Sequence, residues 1–258
     1  MAILLGAVGL CAGGCGVVEK KKESEIDIVQ HRAYYACPRN TKPIVIDGKL
    51  DEEAWGGAEA IGEFSLPPQH RSPVHATRAW MTWDTRAIYL AFKVVDPDIK
   101  AVHTERDSDT YRDDVVEFFF TADPRRKRYY NFEFNPLGVF KDEYHTPARR
   151  FQTDWNCSGT TVGVDVDGTL NDSTDRDAGW QLEVAIPFES RSAPDDRTPE
   201  PGDVWLFHLA RIDRSVGLEG GKELSSTAPL EKIWFHDSRR WLPLVFQGPR
   251  RSVKLQKQ

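Results

Sequence analysis

From Pro43 onward apolar and polar residues alternate along the chain. Tyr130, Phe132 and Phe134 interleave with Asn131, Glu133 and Asn135, and Trp180, Leu182, Val184 and Ile186 interleave with Gln181, Glu183 and Ala185. Successive strand side chains point to opposite faces, so a repeat of two predicts strands with one buried face. The runs Arg78–Trp83, Ile88–Val95, Val115–Thr121, Thr160–Val166 and Val204–Ile212 are rich in β-branched and aromatic residues. They are bounded by turn chemistry such as Asp47-Gly48, Asp96-Pro97, Asn135-Pro136, Asp167-Gly168 and Pro201-Gly202. The helical signal is confined to a short turn over Leu50–Trp55. About ten strands without alternating helices predict an all-β fold, an antiparallel, jelly-roll-like β-sandwich. No linker or repeat interrupts it, so residues 34–247 are expected to form one domain.

The amino terminus reads differently. Ala2–Val18 is an uncharged run that ends in Glu19-Lys20-Lys21-Lys22-Glu23. It is short for a membrane span, which needs about 20 apolar residues, and suits the apolar region of a secretory signal. Ala12-Gly13-Gly14-Cys15 is similar to a bacterial lipobox. One expectation is therefore a signal over residues 1–14, lipidation at Cys15, a polar tether over 15–33 and a place in the bacterial cell envelope, on the outer surface or in the periplasm. The other is plain secretion after cleavage near Ala12 or Gly14. Residues 248–258 form a basic tail. After processing, Cys37 and Cys157 remain; they could pair in an oxidising compartment or persist as two buried thiols.

Composition narrows the chemistry. The 258 residues are 40% hydrophobic and 11% aromatic, too apolar for a disordered chain. A net charge of −6 argues against a nucleic-acid binder. There is no G-x-S-x-G elbow, H-E-x-x-H, phosphate loop or C-x-x-C. With 40 acidic residues, carboxylate pairs carry no information, and the seven His are scattered. Nothing in the sequence supports catalysis. Aromatics outside the strands are more informative: Tyr111 in Asp107–Asp114, Trp155 in Thr153–Asn156, and Trp234 and Trp241 around Phe235–Arg240. Rings in polar loops can stack on the C–H face of a pyranose while carboxylates, amides and guanidinium groups bind its hydroxyls. Trp55, Trp80, Trp83, Trp180 and Trp205 fall in strand or turn patterns and are expected to pack in the core.

Several spaced motifs carry a resemblance: PIVIDGKLDEEAW over 43–55, WMTWDTRAIYLAFKVVD over 80–96, YRDDVVEFF over 111–119 and GWQLEVAIPF over 179–188. With the stretches 129–144, 166–180 and 207–213, they resemble the family 9 carbohydrate-binding modules, in the family 9-like branch of secreted bacterial proteins. The likeness spans Tyr34 to Phe246. It implies a β-sandwich, a sugar clamped between two aromatic rings, and structural calcium, for which Asp96, Asp98, Asp113 and Asp114 offer oxygen donors without fixing a ligand set. By resemblance Tyr111 takes the first clamp position, where the family has tryptophan, Trp234 takes the second, and Glu117 stands for the binding glutamate. Glu133 occupies the strand position of an expected arginine, and Arg211 is the candidate for the positive group.

The expected function is thus a non-catalytic, surface-anchored carbohydrate-binding protein. Its sugar site is expected to use Tyr111, Glu117, Asn131, Glu133, Trp155, Arg211 and Trp234, with a poly- or oligosaccharide as partner, no nucleic acid, and membrane contact only through lipid. Two rivals are a haem-binding electron-transfer sandwich, which would need axial ligands such as Met81, and a scaffold without a small ligand, which would show a large exposed apolar patch.

Overall fold

The computed structural model describes residues 34–123, 125–148, 155–190 and 197–248. The leader, Cys15, the tether and residues 249–258 lie outside the described residues. Eleven strands follow in chain order: β1 (Tyr35–Cys37), β2 (Thr77–Trp83), β3 (Ala87–Val95), β4 (Val115–Thr121), β5 (Tyr129–Phe134), β6 (Phe140–His145), β7 (Thr161–Asp167), β8 (Gly179–Pro187), β9 (Val204–Asp213), β10 (Glu223–Ser226) and β11 (Leu242–Phe246). The described helices are isolated 3-10 turns, one of them at Trp55–Gly57, at the end of the expected turn. One sheet runs β1-β11-β9-β4-β5-β6, with β10 also on β9, and the other runs β2-β3-β8-β7. Pairing is antiparallel except where β1 runs parallel to β11, a departure from the expected all-antiparallel arrangement. Strand β1 is three residues long and caps a sheet edge, so no hairpin dictates its direction.

The period of two is what builds the sandwich. Met81 and Trp83, Leu90 and Phe92, Phe118 and Phe120, Phe132 and Phe134, Leu182 and Val184, and Phe207 and Leu209 all turn inward, into one cluster between the sheets. Trp83, Trp180 and Trp205 are buried there as expected, and Trp55 is buried on the outer face of the four-stranded sheet. Trp80 departs from expectation. It packs by one side onto that outer cluster and stays half-buried. Cys37 and Cys157 both enter the core as separate thiols, so the disulfide alternative is not realised. At Gly48 the Asp47-Gly48 turn adopts φ 92°, and a Cβ would come within 2.4 Å of the Val164 carbonyl carbon, so the turn can lie this close to β7 only with glycine.

The seven-stranded sheet is covered on its outer face too. Residues 227–241 cross it and lay Ala228, Leu230, Phe235 and Trp241 on Val115, Phe119, Leu206 and Ala210. Trp241, expected in a sugar platform, is wholly buried, and its indole N–H donates to the Phe235 carbonyl at 3.1 Å. Strand β4 is consequently buried on both faces. That cover sinks the polar residues beside it.

Candidate functional site

On β4, β5 and β6 the outward positions hold Glu117, then Asn131 and Glu133, then Lys141, Glu143 and His145. The register sets Glu117 opposite Glu133, Glu133 opposite Lys141, Asn131 opposite Glu143 and Tyr129 opposite His145. Glu117, Asn131, Glu133 and Glu143 are each less than a tenth exposed. Their neighbours are specific. Glu133 accepts a bond from the Thr110 hydroxyl at 2.8 Å and from the Asn131 amide at 3.3 Å. Glu143 bridges the Lys141 ammonium at 3.0 Å and His145 Nε2 at 3.1 Å. The Asn131 carbonyl oxygen is buried without a hydrogen-bond partner, a state that costs about 1–3 kcal/mol.

Charge on this floor is unevenly settled. Burial pushes the Glu117 carboxyl well up, and the neighbouring Glu133 and Glu143 charges add to it. Burial also raises Glu133, with Lys141 and the Thr110 bond opposing. At Glu143 burial is outweighed by the bonds from His145 and Lys141, so this carboxyl lies below its ordinary value. Burial would lower the Lys141 ammonium, but Glu133 and Glu143 raise it. The floor therefore combines Glu117, which favours its neutral acid form, with a Lys141–Glu143 ion pair. It offers donors and acceptors side by side.

Two exposed rings stand at the ends of the β6 row. Tyr111, 38% exposed, sits on the 3-10 turn Thr110–Arg112, with its carbonyl held by Arg214 at 2.7 Å and its ring 5.8 Å from the Lys141 ammonium. Trp234, 44% exposed, lies 5.0 Å from the His236 ring. His236 bonds the Tyr129 hydroxyl at 2.9 Å and lies 5.3 Å from His145. Lys141 and His145 are four residues apart on one strand, a span of about 13 Å. The two rings therefore flank a row of buried polar side chains on the outer face of the sheet.

The register sets Glu117, Asn131 and Glu133 side by side, with Tyr111 beside Lys141, while Trp234 lies against His236. The structure does not bring in Arg211 or Trp155. Arg211 faces the interior and is 1% exposed; its guanidinium lies 3.2 Å from Asp96 and 3.1 Å from Asp213 and donates to the Val95 carbonyl at 2.9 Å. Trp155 packs on Tyr130 at 4.9 Å and on Phe132 at 6.0 Å, both inward-facing. Sequence reasoning missed Lys141, Glu143, His145 and His236. The alternation in Phe140–His145 could have placed the first three on one face, but only the register puts that face beside Glu133. Of the seven His, scattered in sequence, two pack against Phe119, His208 and His236 at 5.3 and 5.2 Å from its ring, and His145 adjoins His236.

A family model, "Carbohydrate family 9 binding domain-like", matches residues 46–248. The chain belongs to this family. Among solved structures, a protein of Bacteroides uniformis ATCC 8492 proposed to bind carbohydrate has a TM-score of 0.65 and 18% identity, covering 83% of this chain and 100% of that one. A family 9 carbohydrate-binding module from Caldicellulosiruptor kristjanssonii, solved in complex with cellotriose, has a TM-score of 0.58 and 13% identity, covering 87% and 98%. The same organism's family 9 module in complex with glucose gives 0.56 and 14%, covering 85% and 99%. No curated protein matches.

The calcium implied by the family can be tested against two acidic groups. In Asp96, Asp114 and Asp213 every carboxylate oxygen already accepts from a protein donor: Ser215, Asp98, Trp180 and Arg211 on Asp96, Lys100 and Arg214 on Asp114, and Ser215, His75 and Arg211 on Asp213. Burial and the Asp96 charge push Asp114 up to about 8, so a proton and Arg211 balance the cluster. Calcium does not fit there. Asp47, Glu52 and Glu183 differ, because Glu52 Oε2 is buried without a partner. Both Glu183 oxygens accept from Trp55, Asp47 and Gly48, so Glu52, with Asp47 beside it, would hold the ion.

Proposed function

We propose that this family 9-like protein is a non-catalytic carbohydrate-binding protein of the bacterial cell surface, tethered through lipid on Cys15. The sugar ring stacks between Tyr111 and Trp234. Its hydroxyls bond to Glu117, Asn131, Glu133 and Lys141. What carries this reading is a row of polar side chains flanked by two exposed rings, Tyr111 and Trp234, which would cover the apolar face of a sugar. Support also comes from the relatives, two of which are solved with cellotriose and glucose. The haem reading has less support, since Met81 is wholly buried between the sheets.

Titrating the purified domain against a panel of neutral oligosaccharides tests this. Binding in the micromolar to millimolar range, about −4 to −8 kcal/mol, is expected, and Trp234→Ala should abolish it while leaving the melting temperature in place. Undiminished binding by that variant would remove Trp234 from the site.

A further inference from the structure

A second groove, on the outer face of the four-stranded sheet, lies on the other layer of the sandwich from the Tyr111–Trp234 floor. It encloses about 620 Å³ and is lined by Trp55, Trp80, Arg78, Lys93 and Gln181. Its shape follows from the register. Trp80 on β2 faces Ala91 on β3, and Ala91 faces Glu183 on β8, whose carboxylate takes the Trp55 indole N–H at 2.8 Å. Ala91 is the small residue in that row, so a trough runs between the two indoles. In the next row Arg78 stands directly opposite Lys93, and Lys93 opposite Gln181.

That row is physically unusual. Like charges directly opposite on an antiparallel pair are destabilising. Here both cations are exposed, and neither carries an ion pair or hydrogen bond among the described residues. The nearest carboxylate in the row, Asp165, is beyond Gln181, two strands from Lys93 and about 10 Å away. In the Trp80 row Glu183 is already committed to Trp55, Asp47 and Gly48, and it clusters with Asp47 and Glu52. Two unneutralised cations beside an indole face and an amide form a binding site for an anion attached to a ring. The volume suits one or two sugar rings, and a net charge of −6 disfavours a long polyanion such as nucleic acid.

We infer that this groove is a second saccharide site, selective for an anionic pyranose whose carboxylate or sulfate is held by Arg78 and Lys93 while its ring lies on Trp80. It is independent of the Tyr111–Trp234 site. The test uses a Tyr111→Ala/Trp234→Ala background, in which neutral-sugar binding is removed, titrated with oligogalacturonate, with a sulfated galactose oligomer and with neutral galactose oligomers. One or both anionic ligands should bind and quench tryptophan fluorescence, more weakly as salt rises, and the neutral oligomer should not. Whichever anion binds identifies the carboxylate or the sulfate as the ligand group. Arg78→Gln/Lys93→Gln should weaken binding at least about tenfold, and Trp80→Ala should remove it. The substituted side chains are exposed or half-buried, so melting temperatures should hold. If neither anion binds, or if binding survives these substitutions, the inference falls, whatever the outcome at Tyr111 and Trp234.

Discussion

Arg211 stands opposite Val116 across the β4–β9 pair, one residue out of phase with Glu117, which faces Ala210. That single step puts the guanidinium and the Glu117 carboxylate on opposite faces of one sheet. Lys141, reached through the β5–β6 register, is the cation that joins the floor. The cation beside the floor therefore comes from a different strand than a linear reading would choose.

Arg211→Met should consequently damage stability and not recognition. It leaves Asp96 and Asp213 without their buried cation, which costs about 3–5 kcal/mol. Chemical denaturation should show that loss. Saccharide affinity of the folded fraction should match the parent, and a selective loss of affinity would return Arg211 to the site.

For Lys141→Met the expectation reverses. Its side chain is 12% exposed and sits between Glu133 and Glu143. Binding of neutral saccharides should fall about tenfold or more, as for loss of a charged hydrogen-bond donor. Calorimetric titration of parent and variant measures it.

Glu117 gives the pH dependence a sign. Its carboxyl is raised in the folded state, first by burial and then by Glu133 and Glu143. The folded protein thus keeps a proton that the unfolded chain has lost, and this group's contribution to stability falls as pH rises above the ordinary glutamate value of about 4.3. Glu117→Gln should melt higher than the parent at pH 8, with the gap closing below about pH 4. Glu143, lowered by His145 and Lys141 against burial, has the opposite sign. Its contribution is present above the ordinary value and is lost on acidification, so Glu143→Gln should melt lower at pH 8. Melting curves across pH would refute the assignment if the two variants shift in the same direction.

Trp155→Ala should cost less than the roughly 3–5 kcal/mol of a fully buried ring, because Trp155 is only partly buried against Tyr130 and Phe132. Saccharide binding should be unchanged. A lost affinity at constant stability would show that the ring contacts ligand.

Calcium should raise the melting temperature of the parent, and Glu52→Gln should remove that response. Asp114→Asn should keep it. Loss of the response in Asp114→Asn alone would move the ion to the Arg211 cluster.

How much of this was legible in the sequence depends on the range of each signal. Alternation in 130–134 and 180–186 is local, so it exposed the strands and the two-layer fold, and it put Asn131 and Glu133 on one face. The family motif over 111–119 singled out Tyr111 and Glu117 as candidates, and resemblance added Trp234. Trp155 and Trp241 lie in polar segments much like that of Trp234, yet they pack against Tyr130 and Phe119, because side chains distant in sequence offered apolar surface there. The Arg211 error is of the same kind. Two faces can be read along a single strand, but which residue meets which across a pair is set by register, and register is a property of the assembled sheet. Residue chemistry and its period were determined by the chain alone. Which groups share a surface, and which of them lose their water, was decided only when the two layers closed.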